Sequence, residues 1–153
     1  MNNVLDEKTL VSNKRAERDY FIISRYESGI ALKGTEVKSL RAGKANFLDA
    51  YVDFKNGEAF LVNMHISEYN YGNRFNHEEK RKRKLLLKKN EILKLQQKVK
   101  EKGFTVIPLR AYLKNRKIKI EIALARGKKM YDKRDTIAKK EHQREIERKL
   151  KER

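Results

Sequence analysis

Five consecutive cations, Lys80-Arg81-Lys82-Arg83-Lys84, followed by Lys88-Lys89, are the residues whose type and spacing point most directly to chemistry. Five like charges in a row cannot all be neutralised by local neighbours. Guanidinium forks match the geometry of phosphate, so the run reads as a contact for a phosphate backbone. A solvated loop or a localisation-type stretch is the plainer alternative. Tyr69, Tyr71 and Phe75 lie just upstream and could stack on unpaired bases, although each of them taken singly reads more readily as core. Asn13-Lys14-Arg15 and Arg18 form a second cationic candidate, equally compatible with a frayed, solvated terminus.

Enzymatic chemistry finds little to work with. Cysteine is absent, which removes disulfides, thiolate metal sites and thiol nucleophiles. His77-Glu78-Glu79 resembles the start of a zinc-binding HExxH helix, but the fifth position is Arg81 and the second ligand is missing. His65 follows a strand-like run and reads as a satisfied barrel histidine. No glycine-rich phosphate loop or nucleophile elbow occurs, and no pair of carboxylates has a defensible acid/base spacing. A non-enzyme without cofactor or metal is expected.

The 153 residues carry 39 Lys plus Arg against 21 Asp plus Glu, a formal net charge of +18. The length suits one domain with a small core. A charge this large makes a compact protein repel itself and points to a polyanionic partner, nucleic acid before membrane. No stretch approaches the roughly 18 apolar residues of a membrane span, and the opening residues lack a secretion signal. A cytoplasmic protein is expected.

Alternation supplies the framework that must position these charges. In Lys117–Leu124, Ile118, Ile120, Ile122 and Leu124 share one face while Lys117, Lys119 and Glu121 share the other, the signature of a half-buried strand. The preceding TVIPLRAYL pairs with it as a hairpin through Asn115-Arg116, with Pro108 marking an edge or a bulge. Asn56-Gly57 predicts a type I′ turn between AYVDF and AFLVNM. Ser28-Gly29 is expected to separate two short strands at 20–23 and 30–32. A helix capped by Thr35 runs to Arg41 and stops at Gly43, and a second from Asn90 to about Lys102 carries Ile92, Leu95 and Val99 on one stripe before Gly103. About six strands with two or three flanking helices predict a mainly β (α+β) fold, a small closed barrel without free edges.

Residues 127–153 hold 11 Lys plus Arg against six Asp plus Glu, a net +5 that leaves +13 on residues 1–126. Few apolar residues and pairs such as Glu145 with Lys149 predict a tail disordered when free and helical when bound.

Six motifs, in order, resemble the SsrA-binding protein family, also called small protein B. They are Asn13–Ala16, Asp19–Ile22, Glu27–Ile30, Gly34–Gly43, Arg81–Leu87 and Gly127–Arg134. The resemblance spans about residue 13 to 140. It implies an OB-like barrel that binds the tRNA-like domain of transfer-messenger RNA. It also implies an adaptor that acts with elongation factor Tu to bring the charged RNA to stalled ribosomes for trans-translation. The implied organisation is a flexible N-terminus (1–12), an RNA-binding barrel (13–126) and a basic tail (127–153) that becomes helical on the ribosome, in a chain expected to be monomeric. The implied RNA-contacting positions are Asn13, Tyr20, Glu27, Lys84 and Leu86, joined by the cationic candidates Lys14, Arg15, Arg81 and Arg83. The implied tail positions, directed at the mRNA channel and decoding centre, are Gly127, Lys128, Lys129, Tyr131, Asp132, Lys133 and Arg134. Tyr131 stands where many members carry His, which retains aromatic stacking but loses the ring nitrogens, and Glu79 stands where Pro is common. A structural ribosomal protein or a general single-strand RNA-binding OB protein is the alternative.

Overall fold

The computed structural model describes residues 7–69, 76–128 and 144. The chain opens with strand β1 (Glu7–Ser12), a single helical turn α1 (Ala16–Asp19) and the long strand β2 (Tyr20–Ile30). Helix α2 (Gly34–Arg41) leads to β3 (Ala45–Asn46), the hairpin β4 (Tyr51–Lys55) and β5 (Glu58–Val62), and β6 (His65–Ile66). Strand β7 (Arg83–Leu86), helix α3 (Lys89–Val99) and the hairpin β8 (Phe104–Lys114) and β9 (Lys117–Gly127) complete it.

Seven strands form one sheet in the order β1-β8-β9-β2-β7-β5-β4, and β3 pairs separately with β6. Every described pairing is antiparallel. The mainly β class is as expected, but the closed barrel is not: the sheet is open, with β1 and β4 as its edges. The sheet curls enough for β4 to approach β8 without pairing to it, while the short β3–β6 ribbon sits beside β1 and forms its own ladder instead of extending the sheet.

Both hairpin turns follow the sequence reading. Asn56 and Gly57 have φ of 55° and 74°, and Asn115 and Arg116 have 51° and 66°, the double positive φ that a type I′ turn demands. Pro108 is buried in β8, an inner strand, so the bulge and not the edge is how it is accommodated: the β8–β9 register shifts between Pro108 and Arg110. The Asn13 side chain donates to the Pro108 carbonyl at 2.8 Å and the Asn13 N–H to the Leu109 carbonyl at 2.8 Å, so the bulge's freed acceptors are satisfied.

Three expectations are corrected. Residues 7–12, assigned to a flexible N-terminus, form β1 on the edge of β8. Ser28-Gly29 is no turn: β2 runs straight through it. There the Ser28 hydroxyl donates to the Ile120 carbonyl at 3.1 Å, and the missing side chain of Gly29 admits Leu86 of β7. A Cβ on Gly29 would lie 3.2 Å from that of Leu86, a use of glycine for close strand approach. Thr35 is not the helix cap either. Lys33 takes that position, its N–H donating to the Glu36 carboxylate at 2.8 Å, and the Thr35 hydroxyl pairs with Nδ1 of His77 at 2.8 Å.

The main core lies on the inner face of the sheet. Ile120, Ile122 and Leu124 of β9, Leu61 of β5 and Leu85 of β7 meet Leu40 of α2 and Leu95 of α3. Each such side chain taken from water contributes about 1.5–3 kcal/mol. A second, smaller cluster occupies one end of the outer face, where Ala16 of α1 covers Ile107, Leu109, Ala123 and Ala125. The remainder of the outer face is mixed, with charged side chains around the exposed Leu86.

Candidate nucleic-acid interface

Strand β7 decides what the basic run can do. Its alternation turns Arg83 and Leu85 inward and Lys84 and Leu86 outward. Arg83 is fully buried. Its Nε donates to Glu36, Nη1 to the Met64 carbonyl at 2.7 Å and Nη2 to the Glu79 carbonyl at 3.0 Å. Arg81 leans the same way, donating to the other Glu36 oxygen at 2.6 Å and to the Ala31 carbonyl at 3.3 Å. Burial pushes the Glu36 carboxyl up, but the guanidinium donors and the Lys33 N–H outweigh it and hold the pKa below its ordinary value. Arg83 is therefore corrected from a phosphate contact to an internal strut, because the buried Glu36 would otherwise be an uncompensated charge.

Lys80, Lys82 and Lys84 remain outside. Lys84 meets Glu58 at 3.0 Å and Lys82 meets Asp53 at 3.5 Å while lying 5.1 Å from the centre of the Phe60 ring. Both pairs are about half exposed, a setting in which an ion pair contributes about 0–1 kcal/mol and a phosphate can compete for the ammonium.

The outer face continues across four strands. Gly29 of β2 pairs with Leu86 of β7 on one side and Lys119 of β9 on the other, and Lys119 pairs in turn with Tyr112 of β8. Glu27 pairs with Glu121, and Glu121 with Arg110. Lys84, Leu86, Glu27, Lys119 and Arg110 thus share one surface, with Leu86 more than half exposed. Opposite charges on it are interleaved: Arg25 bridges Glu121 at 3.1 Å and Glu17 at 3.2 Å, and Arg110 bridges Glu7 at 3.3 Å and Glu121 at 3.6 Å. A cleft of about 270 Å³ lined by Asn13, Lys14, Glu17, Arg25, Arg110 and Glu121 joins the Asn13 loop to this surface.

Tyr20 is half-buried against the small cluster under α1, and Lys14 and Arg15 are exposed. Gly127 ends β9 opposite Tyr20. Lys128 donates to the Glu17 carbonyl at 3.1 Å and lies 4.8 Å from the centre of the Phe21 ring. Lys129, Tyr131, Asp132, Lys133 and Arg134, like Tyr71 and Phe75, lie outside the described residues. The ring of Tyr69 lies 5.3 Å from the Lys38 ammonium.

The two described histidines, His65 and His77, have structural partners. Buried His77 donates from Nε2 to the Ile66 carbonyl at 2.9 Å and meets Thr35 at Nδ1, so neither nitrogen is free to bind a metal. His65 Nε2 lies 3.1 Å from Glu79. The sequence reading leaves out Lys119 and Arg110, which share this face, although the alternation around Lys119 already places it on the polar side of its strand.

The family model for the SmpB protein matches residues 10–152. The chain belongs to that family. It is 59% identical over 142 residues to the SsrA-binding protein of Desulforudis audaxviator, covering 93% of each chain. To the SsrA-binding protein of Carboxydothermus hydrogenoformans it is 55% identical over 144 residues, 94% of this chain and 97% of that one. A solved chain described as "tmRNA-SmpB: a journey to the center of the bacterial ribosome" superposes with a TM-score of 0.68 at 48% identity. That superposition covers 79% of this chain and 85% of the other.

Proposed function

We propose that this protein is a non-enzymatic adaptor that binds the tRNA-like domain of transfer-messenger RNA and promotes its delivery to stalled ribosomes in trans-translation. The observation that carries the reading is convergence: Asn13, Glu27, Lys84 and Leu86 are spread over some seventy residues of sequence, yet one outer face and its adjoining cleft gather them. Cations at the rim suit phosphate, and a carboxylate with an apolar neighbour suits the exposed bases and hydroxyls of an RNA elbow. Membership of a family whose relatives are called SsrA-binding proteins supports the same partner.

Lys14, Arg15 and the outward lysines supply phosphate contacts, and Tyr20 supports the α1 rim. Residues 7–126 form the RNA-binding body of a cytoplasmic monomer that carries the RNA together with elongation factor Tu. Residues 127–153, with Gly127, Lys128, Lys129, Tyr131, Asp132, Lys133 and Arg134, enter the empty mRNA channel and decoding centre. Their net +5 suits a channel walled by phosphate.

The test is affinity for a transcript of the tRNA-like domain against an unrelated structured RNA of equal length. Tight, selective binding is expected, falling by about 10³–10⁵ between roughly 50 and 200 mM salt if about 6–10 phosphates are engaged. Truncation after Arg126 is expected to preserve that binding and abolish peptide tagging on stalled ribosomes. Equal affinity for both RNAs, or stoichiometric, salt-resistant presence in all ribosomes, overturns the reading in favour of a general or structural RNA-binding protein.

A further inference from the structure

Glu27 is an odd occupant of an RNA-binding face, because a carboxylate repels phosphate and free glutamate swings on three torsions. Its surroundings resolve the oddity. Tyr112, only 2% exposed, reaches from β8 across β9 to donate its phenolic hydrogen to Glu27 Oε1, and the Lys114 ammonium meets the same oxygen at 3.2 Å. The Arg110 guanidinium lies 4.0 Å from the centre of the Tyr112 ring and covers it. The carboxylate is held from one side, its side chain stays 41% exposed, and Oε2 has no donor among the described residues.

We propose that Tyr112 is a positioning residue for RNA recognition: its hydroxyl fixes the Glu27 carboxylate so that the free oxygen accepts an N–H or O–H donor from an RNA loop. The inference rests on the RNA-binding reading above and deepens it at one site. Holding a rotamer-rich side chain before binding removes its ordering cost from association. The Tyr112 hydrogen bond and the Lys114 charge also keep Glu27 ionised, its pKa lowered against a smaller opposing effect of burial, so it arrives as an acceptor. Burial first, then the bond to Glu27, pushes the Tyr112 phenol up, so it stays a donor. The contact is with base or ribose, not phosphate, and adds specificity without adding charge.

The test is a double-mutant cycle read by affinity for the tRNA-like domain transcript across a salt series. Tyr112→Phe keeps the ring and its stacking on Arg110 and deletes only the donor. It is expected to weaken binding about tenfold, with the melting temperature and the slope of log K against log salt unchanged. In a Glu27→Gln background the same change is expected to have no further effect, because a residue acting through another shows full coupling. Glu27→Asp, which keeps the charge but withdraws it by one methylene from Tyr112, is expected to lose as much. Wild-type affinity in Tyr112→Phe or Glu27→Asp, or an equal loss from Tyr112→Phe in the Glu27→Gln background, overturns the proposal. Glu27→Gln binding like wild type overturns it at Glu27 while leaving the rest of the face intact. Failure of the wild-type chain to select this RNA strikes the underlying reading instead.

Discussion

Arg83→Met separates an internal strut from a phosphate contact. The substitution removes a fully buried guanidinium, leaving Glu36 with Arg81 and the Lys33 N–H and stripping donors from the carbonyls of Met64 and Glu79. Removing one partner of a buried ion pair costs about 3–5 kcal/mol, since the survivor keeps its desolvation penalty. For a domain of this size, about 2–4 °C per kcal/mol applies, so the melting temperature falls by roughly 6–20 °C. Urea unfolding at pH 7 should show a lower midpoint with an unchanged slope. Glu36→Leu combined with Arg83→Met should recover most of the loss, because an apolar pair of similar volume needs no compensation. RNA binding, measured well below the melting temperature, is the deciding half of the assay. Arg83→Met should leave the salt slope unaltered, whereas Lys84→Ala should reduce it by about one phosphate. An Arg83→Met chain with wild-type stability and a slope reduced by one would refute the burial argument.

Glu36 also sets an acid limit. Its folded-state pKa is lowered from the ordinary 4.5, so its stabilisation is complete above about pH 4.5 and is lost as pH falls through the folded value. Equilibrium unfolding against pH should show that acid limb, and Glu36→Gln should flatten it at the expense of neutral-pH stability. Gly29→Val would crowd Leu86 where β2 and β7 pair. A loss of about 1–3 kcal/mol by overpacking, with weaker RNA binding at temperatures where the chain is folded, is expected from denaturation and affinity measurements. Arg116→Gly relieves a non-glycine residue at φ 66° in the β8–β9 turn and should stabilise by about 1 kcal/mol, read as a higher urea midpoint.

Signals that act over a few residues were legible directly. The alternation of Ile118, Ile120 and Ile122 defined the inner face of β9, Asn56-Gly57 defined a turn, and Ile92, Leu95 and Val99 defined the stripe of α3, because backbone torsion and side-chain periodicity are local properties. The motifs were dense enough to name the family. They also proposed Glu27, Lys84 and Leu86 as contacts, and the sheet places those three residues on one face. What the sequence could not state is which cations stay outside. Arg83 and Lys84 are neighbours of the same charge, and only a carboxylate 47 residues earlier, buried by the packing of α2, draws one inward. Likewise Ser28-Gly29 looks like a turn until β7 arrives to occupy the space glycine leaves. Thr35 looks like a cap until His77 competes for its hydroxyl, and residues 7–12 show no strong pattern until β8 offers them an edge. The opening charge of +18 came from composition alone. Its division into internal struts, tethered lysines and an exposed outer face is set by contacts between residues far apart in the chain, which exist only once the sheet has formed.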